Sequence, residues 1–139
     1  MKRYLGLDLG TKTLGIAITD RSNTIIFPYQ TLRFEMEDYD NAIEQLKPII
    51  EKEEITDVVI GLPKNMDGTL GFASKRTLNF IPMLEKLNLN VFTVDERLTS
   101  VEAERILHDN NLKSKEFKDK VDMEAAVLIL ESYLRSIDE

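Results

Sequence analysis

The sequence predicts an α/β fold: a mixed five-stranded sheet, three antiparallel strands followed by βαβ crossovers, with helices on both faces. Three observations carry this. Residues 3–28 hold three short alternating segments separated by polar turns. Two further apolar strands, 56–62 and 89–94, each follow a segment with helical spacing. A last apolar stripe over 122–137 supplies a long closing helix.

In order, Leu5, Leu7 and Leu9 alternate with Gly6 and Asp8, the period of a strand with Asp8 near its end. Gly10-Thr11-Lys12-Thr13 reads as a tight turn, and Leu14 to Ile18 as the return strand of a hairpin. A short third strand runs from Thr24 to Phe27 and is closed by Pro28. Tyr39, Ala42, Ile43, Leu46, Ile49 and Ile50 recur at helical spacing, so 38–53 is an amphipathic helix that Pro48 kinks or shortens. Thr56 to Leu62 is a continuous apolar run suited to a buried central strand, and 63–71 is a loop. The next helix, 72–87, turns Leu78, Ile81, Leu84 and Leu87 inward, with Pro82 its weak point. Leu89 to Val94 is a strand that ends at Asp95-Glu96-Arg97. Thr99-Ser100-Val101-Glu102 has the pattern of a capping box opening a short helix to Leu107. Residues 108–120 lack an apolar period and read as a loop, and Asp122 opens the final helix, with Ala126, Val127, Leu130, Leu134 and Ile137 on one stripe.

The length of 139 residues suits one domain with one core over 1–139. There is no cysteine, which excludes disulfides and thiolate metal sites and fits a reducing cytoplasm. No apolar run approaches the roughly 20 residues of a membrane helix, and no apolar stretch of a signal peptide follows Lys2 and Arg3. A soluble cytoplasmic chain without a membrane partner is expected. The net charge of −7 is local: residues 35–57 carry 9 acidic and 2 basic side chains, so the rest is near neutral and can hold a basic patch. The acids of 35–57 read as a solvated outer face, with docking of a protein as the alternative.

Four places carry chemistry. Asp8 sits on a strand of leucine and glycine, where a buried carboxylate needs a cation, a donor or solvent. The turn after it, with Thr11 and Lys12, can cradle an anionic oxygen; capping that same turn is the plainer role for Asp8. Gly61 to Thr69 leaves the end of a central strand, a usual ligand position on an open sheet. Lys64, Asn65 and, on the next helix, Arg76 are its candidate phosphate contacts. In Asp95-Glu96-Arg97, alternation sends the two acids to opposite faces. Glu96 is preferred as the group facing Asp8, Asp95 as a supporting group beside Arg97, and Arg97 as a phosphate contact. Asp122 is an N-cap residue by itself; its value lies in converging with the other two acids. Clustered carboxylates repel unless a cation neutralises them, and oxygen ligands suit one or two Mg²⁺ or Mn²⁺ ions. Asp8, Glu96 and Asp122 are thus candidate metal ligands and catalytic residues, with Thr11 and Asp95 as supporting groups. Such a site hydrolyses phosphodiesters without a covalent nucleophile. His108 reads as solvated, and Lys113, Lys115, Lys118 and Lys120 as a solvated loop, with a mobile basic flap beside Asp122 as the functional alternative.

The segments GLDLGTKTLGIAITD (6–20), VVIGLPKNMDGTLG (58–71), VDERLTSVEAERIL (94–107) and KVDMEAAVLILESYL (120–134) resemble the YqgF/RuvX family over nearly the whole chain. Its members are described as Holliday junction resolvases and as nucleases maturing the 5′ end of pre-16S ribosomal RNA. The resemblance implies a ribonuclease H-like fold related to RuvC resolvases, divalent-metal chemistry and a cytoplasmic location. By motif, Asp8 matches the first-strand aspartate, Glu96 the DER glutamate and Asp122 the aspartate of the last helix. Two acids common in RuvC-type enzymes are missing, with Ala125 one turn into that helix and Gly61 near the central-strand position.

The favoured expectation is a metal-dependent nuclease on structured nucleic acid, RNA before branched DNA, acting in ribosome biogenesis alongside ribosome-assembly proteins. Three alternatives stand beside it: a Holliday junction resolvase, a non-catalytic RNA-binding or ribosome-assembly module, and an actin-like nucleotide-binding phosphotransferase. The last rests on the DLGTKTLG turn and would need a second domain to close on a nucleotide.

Overall fold

Alternation in the first hairpin sorts its side chains onto two faces, and each face finds its own helices. The computed structural model describes residues 2–64, 67–96 and 115–137. The elements are β1 (Tyr4–Leu9), β2 (Thr13–Thr19), β3 (Ile26–Arg33), α1 (Tyr39–Lys52), β4 (Asp57–Leu62), α2 (Phe72–Glu85), β5 (Asn90–Asp95) and α3 (Lys115–Ile137). The sheet order is β3-β2-β1-β4-β5. The β1–β2 and β2–β3 pairs are antiparallel, and the β1–β4 and β4–β5 pairs parallel. This is the mixed five-stranded sheet the sequence predicts.

On one face Leu5, Leu7, Leu14, Ile16, Val58 and Ile60 pack with Ala42, Leu46, Phe80 and Leu84 of α1 and α2. On the other, Tyr4, Ala17, Val59 and Val94 pack with Ala125, Ala126, Ile129 and Leu130 of α3. Burying the latter four stabilises the α3 contact by the removal of their apolar surface from water. Tyr133 fastens the far half of α3, with its ring 5.0 Å from Phe92 and 5.9 Å from Tyr4.

Several local expectations change. The third strand is not closed by Pro28 but runs to Arg33. β3 is an edge strand, where one row of backbone donors has no strand to meet and proline is tolerated. A bulge accompanies it: Ala17 pairs with Pro28 and Ile16 with Gln30, leaving Tyr29 between. α1 and α2 continue past Pro48 and Pro82. Leu78 is exposed, whereas Ser74, Thr77, Phe80 and Leu84 form the buried face of α2. The two hydroxyls can go inside because they donate to the carbonyls of Pro63 and Ala73.

Residues 115–120 are helical rather than a loop. The start of α3 is tied to β3, where Thr31 donates to the Asp119 carbonyl at 2.9 Å and Arg33 pairs with the Asp119 carboxylate. Tertiary anchoring thus overrides the missing apolar period. Ile137 is exposed. A 23-residue helix spans about 35 Å, longer than any strand here, so its end overhangs the sheet. The expected 99–107 helix, His108 and Lys113 lie outside the described residues. No helix among the described residues is long and apolar enough to cross a membrane.

The acids of 35–57 are not all solvated. Glu53 accepts from Arg3 at 3.1 Å and from the Tyr29 hydroxyl at 2.8 Å. Asp57 is fully buried, with Lys2 Nζ at 4.0 Å.

Candidate active site

Strand register decides which residues surround Asp8. The antiparallel pairing of β1 with β2 sets Gly15 directly opposite it. In the parallel pairing Leu7 faces Ile60, so one residue further on Asp8 and Gly61 stand side by side. Asp8 therefore lies between two glycines, on the face that α3 covers.

Both gaps are filled by acidic residues. A Cβ placed on Gly15 would lie 2.2 Å from the Asp122 carbonyl oxygen and 3.0 Å from the Asp122 Cβ. A Cβ on Gly61 would lie 2.5 Å from Glu96 Oε1 and 2.5 Å from Ile129 Cδ1. The missing side chains let Asp122 approach from the β2 side of Asp8 and Glu96 from the β4 side. Glu96 thus occupies the space that a side chain at Gly61 would take. Ala125 is part of the core beneath α3.

Asp122 does not open its helix; it stands seven residues after Lys115, two turns in, so N-capping does not account for it. Its carboxylate has another partner, the Thr13 hydroxyl, while Oδ2 is buried and has no hydrogen-bond partner among the described residues. Burial, and then the charge of Asp8, push its pKa above the usual carboxylate range, with Thr13 and Lys118 opposing.

The three acids line one cleft of about 320 Å³ together with Thr11, Lys12, Arg76 and Lys118. Cations grouped beside the acids suit an anionic ligand. The turn carrying Thr11 and Lys12 is held firmly. Gly10 N–H donates to Thr13 at 2.8 Å, Phe34 N–H to the Lys12 carbonyl at 3.0 Å and Glu37 N–H to the Thr11 carbonyl at 2.7 Å.

Other expected contacts fall elsewhere. Lys64 forms an ion pair with Asp95 at 3.8 Å and is not among the cleft residues. The expected pairing of Asp95 with Arg97 lies outside the described residues. Asn65 and Arg97 lie outside the described residues. Sequence reasoning missed Thr13 and Gly15. A glycine inside a strand signals close backbone approach, and that signal was present at Gly15.

The donor set fits a hard divalent cation. All three acids offer oxygen ligands, and the unpartnered Asp122 Oδ2 is the kind of buried atom a cation satisfies. As placed, no three acidic or histidine side chains among the described residues gather closely enough to hold a single ion. Asp8 is the middle member, with a second acid on each side.

A raised pKa means that the fold favours neutral Asp122. That contribution is full below the carboxylate range of the unfolded chain and is lost as pH rises through the folded value. The metal-free Asp122→Asn variant keeps an acceptor for Thr13, and its expected melting temperature at pH 8 is about 2 °C above that of the native chain. The gap should close below about pH 4. Thermal melts at several pH values, in chelator, check this.

The chain is similar to known proteins over nearly its whole length. The family profile described as "RuvX: Holliday junction resolvase" matches residues 2–136. A Clostridium botulinum protein named "Putative pre-16S rRNA nuclease" is 42% identical over 138 residues, 99% of each chain. A Clostridium acetobutylicum protein of the same name is 41% identical over 136 residues, 97% of this chain and 99% of its own. Among solved structures, Thermus thermophilus RuvC in complex with Holliday junction substrate superposes with a TM-score of 0.58 at 10% identity, covering 99% of this chain and 96% of that one. Fowlpox virus resolvase with Holliday junction DNA gives 0.55 at 14% identity, covering 99% of both. At such identity the likeness is one of fold, the ribonuclease H-like arrangement of sheet and helices. The profile match and the two full-length relatives establish that the chain belongs to the RuvX family of phosphodiester-cleaving nucleases.

Proposed function

We propose that this protein is a divalent-metal-dependent endonuclease of structured RNA, acting in the cytoplasm on the 5′ end of pre-16S ribosomal RNA. The observation that carries the site assignment is the pair of glycines beside Asp8, each giving its space to another acid. The names of the full-length relatives carry the substrate.

Asp8 would hold Mg²⁺ or Mn²⁺, as one or two ions, together with Glu96 on one side and Asp122 on the other. When bound, the metal neutralises the clustered acids and supplies Lewis acidity at the scissile phosphodiester. The chain's own residues do the rest. Lys12, Arg76 and Lys118 bind the phosphates on either side of the cut. Thr13 fixes the rotamer of Asp122 through its hydroxyl, and the ties on the 10–13 turn keep Lys12 in place. Asp95 pairs with Lys64 at 3.8 Å as a supporting group beside the site.

The test is cleavage of precursor 16S RNA beside a DNA four-way junction, in Mg²⁺ and in Mn²⁺. Metal-dependent trimming of the RNA with a slower or absent cut in the junction is the expected result. Preferential symmetric cutting of the junction would move the assignment to resolvase activity. Equal rates in chelator would remove the metal.

A further inference from the structure

α2 leaves the loop after β4 with Phe72 as its first residue. Phe72 is 84% exposed, the highest value among the large apolar side chains of the described residues, and Leu70 beside it is also open. A lone surface aromatic calls for no explanation, but this one has a particular address. Ala73, the next residue, lines the acidic cleft, as does Arg76 one turn further on. Residues four apart share a helix face, so Phe72 and Arg76 stand together at the rim, their Cβ atoms about 5–6 Å apart. The helix start is also receptive to anions. Its N-cap is Gly71, without a side-chain cap, and its first turn holds no acid. The Ser74 hydroxyl is engaged with the Pro63 carbonyl. An apolar ring, a guanidinium and uncapped amides are thus grouped within one turn, at the edge of the cleft.

We propose that Phe72 is a stacking platform for an unpaired nucleobase next to the scissile phosphate, with the adjoining phosphate on Arg76 and the first amides of α2. This rests on the nuclease reading of the cleft and adds a substrate preference to it. A base within a duplex has both π-faces covered by its neighbours, whereas an unpaired base has one to offer. The platform therefore selects cleavage positions in loops, bulges or single-stranded flanks over fully paired helices. The neighbouring cations favour a nucleotide as occupant over an apolar protein segment.

Phe72→Ala should fold normally, since the ring is largely outside the core. The test is binding, measured in chelator so that no cleavage intervenes. Two RNA hairpins carry 2-aminopurine, one at an unpaired and one at a paired position. The native chain should quench the unpaired probe, Phe72→Ala should bind that hairpin about tenfold more weakly without quenching, and Phe72→Trp should restore both. Affinity for the paired hairpin should be the same in all three. Undiminished binding and quenching in Phe72→Ala would overturn the proposal, as would an equal loss on both hairpins. Because the readout is binding, it separates from the catalytic assignment: a chain that stacks the probe but never cuts keeps the platform and loses the nuclease site.

Discussion

Asp8→Asn is expected to lower metal-dependent cleavage at least about a thousandfold while leaving the melting temperature within a few degrees of native. Asp8 is the middle acid of the cleft, between Gly15 on β2 and Gly61 on β4, and has an acidic residue on each side. The substitution removes the carboxylate that stands between the other two. The amide nearly matches the carboxylate in shape, so the strand and the turn beyond it should remain. Single-turnover cleavage beside a circular dichroism melt checks both halves. Full activity in this variant would remove the catalytic role assigned to the cleft.

Gly15→Ala should be the most damaging of the glycine-to-alanine changes. The new Cβ would come within 2.2 Å of the Asp122 carbonyl, a backbone atom of α3 that moves only if the helix moves. Overpacking of this kind costs about 3 kcal/mol, a fall of about 10 °C in melting temperature. Gly61→Ala provides the contrast. Its Cβ would meet Glu96 Oε1 and Ile129 Cδ1, both ends of side chains that can swing aside. Its stability cost should be about 1 kcal/mol, but the displaced Glu96 should cost about a hundredfold in turnover. Equal stability losses in the two variants would mean that the glycines do not act as separate sockets.

The hairpin, the central strand and the helix order were legible because period-2 and period-3.6 patterns are local. Asp8, Glu96 and Asp122 were legible as types in positions, each at odds with the apolar element around it. Their arrangement was not, because it depends on register between strands far apart in sequence. The gap at Gly61 read as a missing acid, yet Glu96 fills it from the next strand. The start of α3 was hidden for a similar reason: its first two turns are held by Thr31 and Arg33 on β3, not by an apolar stripe. Leu78 misled because α2 buries the hydroxyls of Ser74 and Thr77 in place of a leucine. The pairing of Lys64 with Asp95 also depends on the parallel alignment of β4 and β5, where Leu62 meets Asp95.

The most direct test of the metal assignment is the anomalous difference map of crystals soaked in Mn²⁺. A peak about 2.2 Å from an Asp8 carboxylate oxygen, shared with Asp122 or Glu96, is the predicted result. Manganese found only at other surface acids, with none on Asp8, would contradict it.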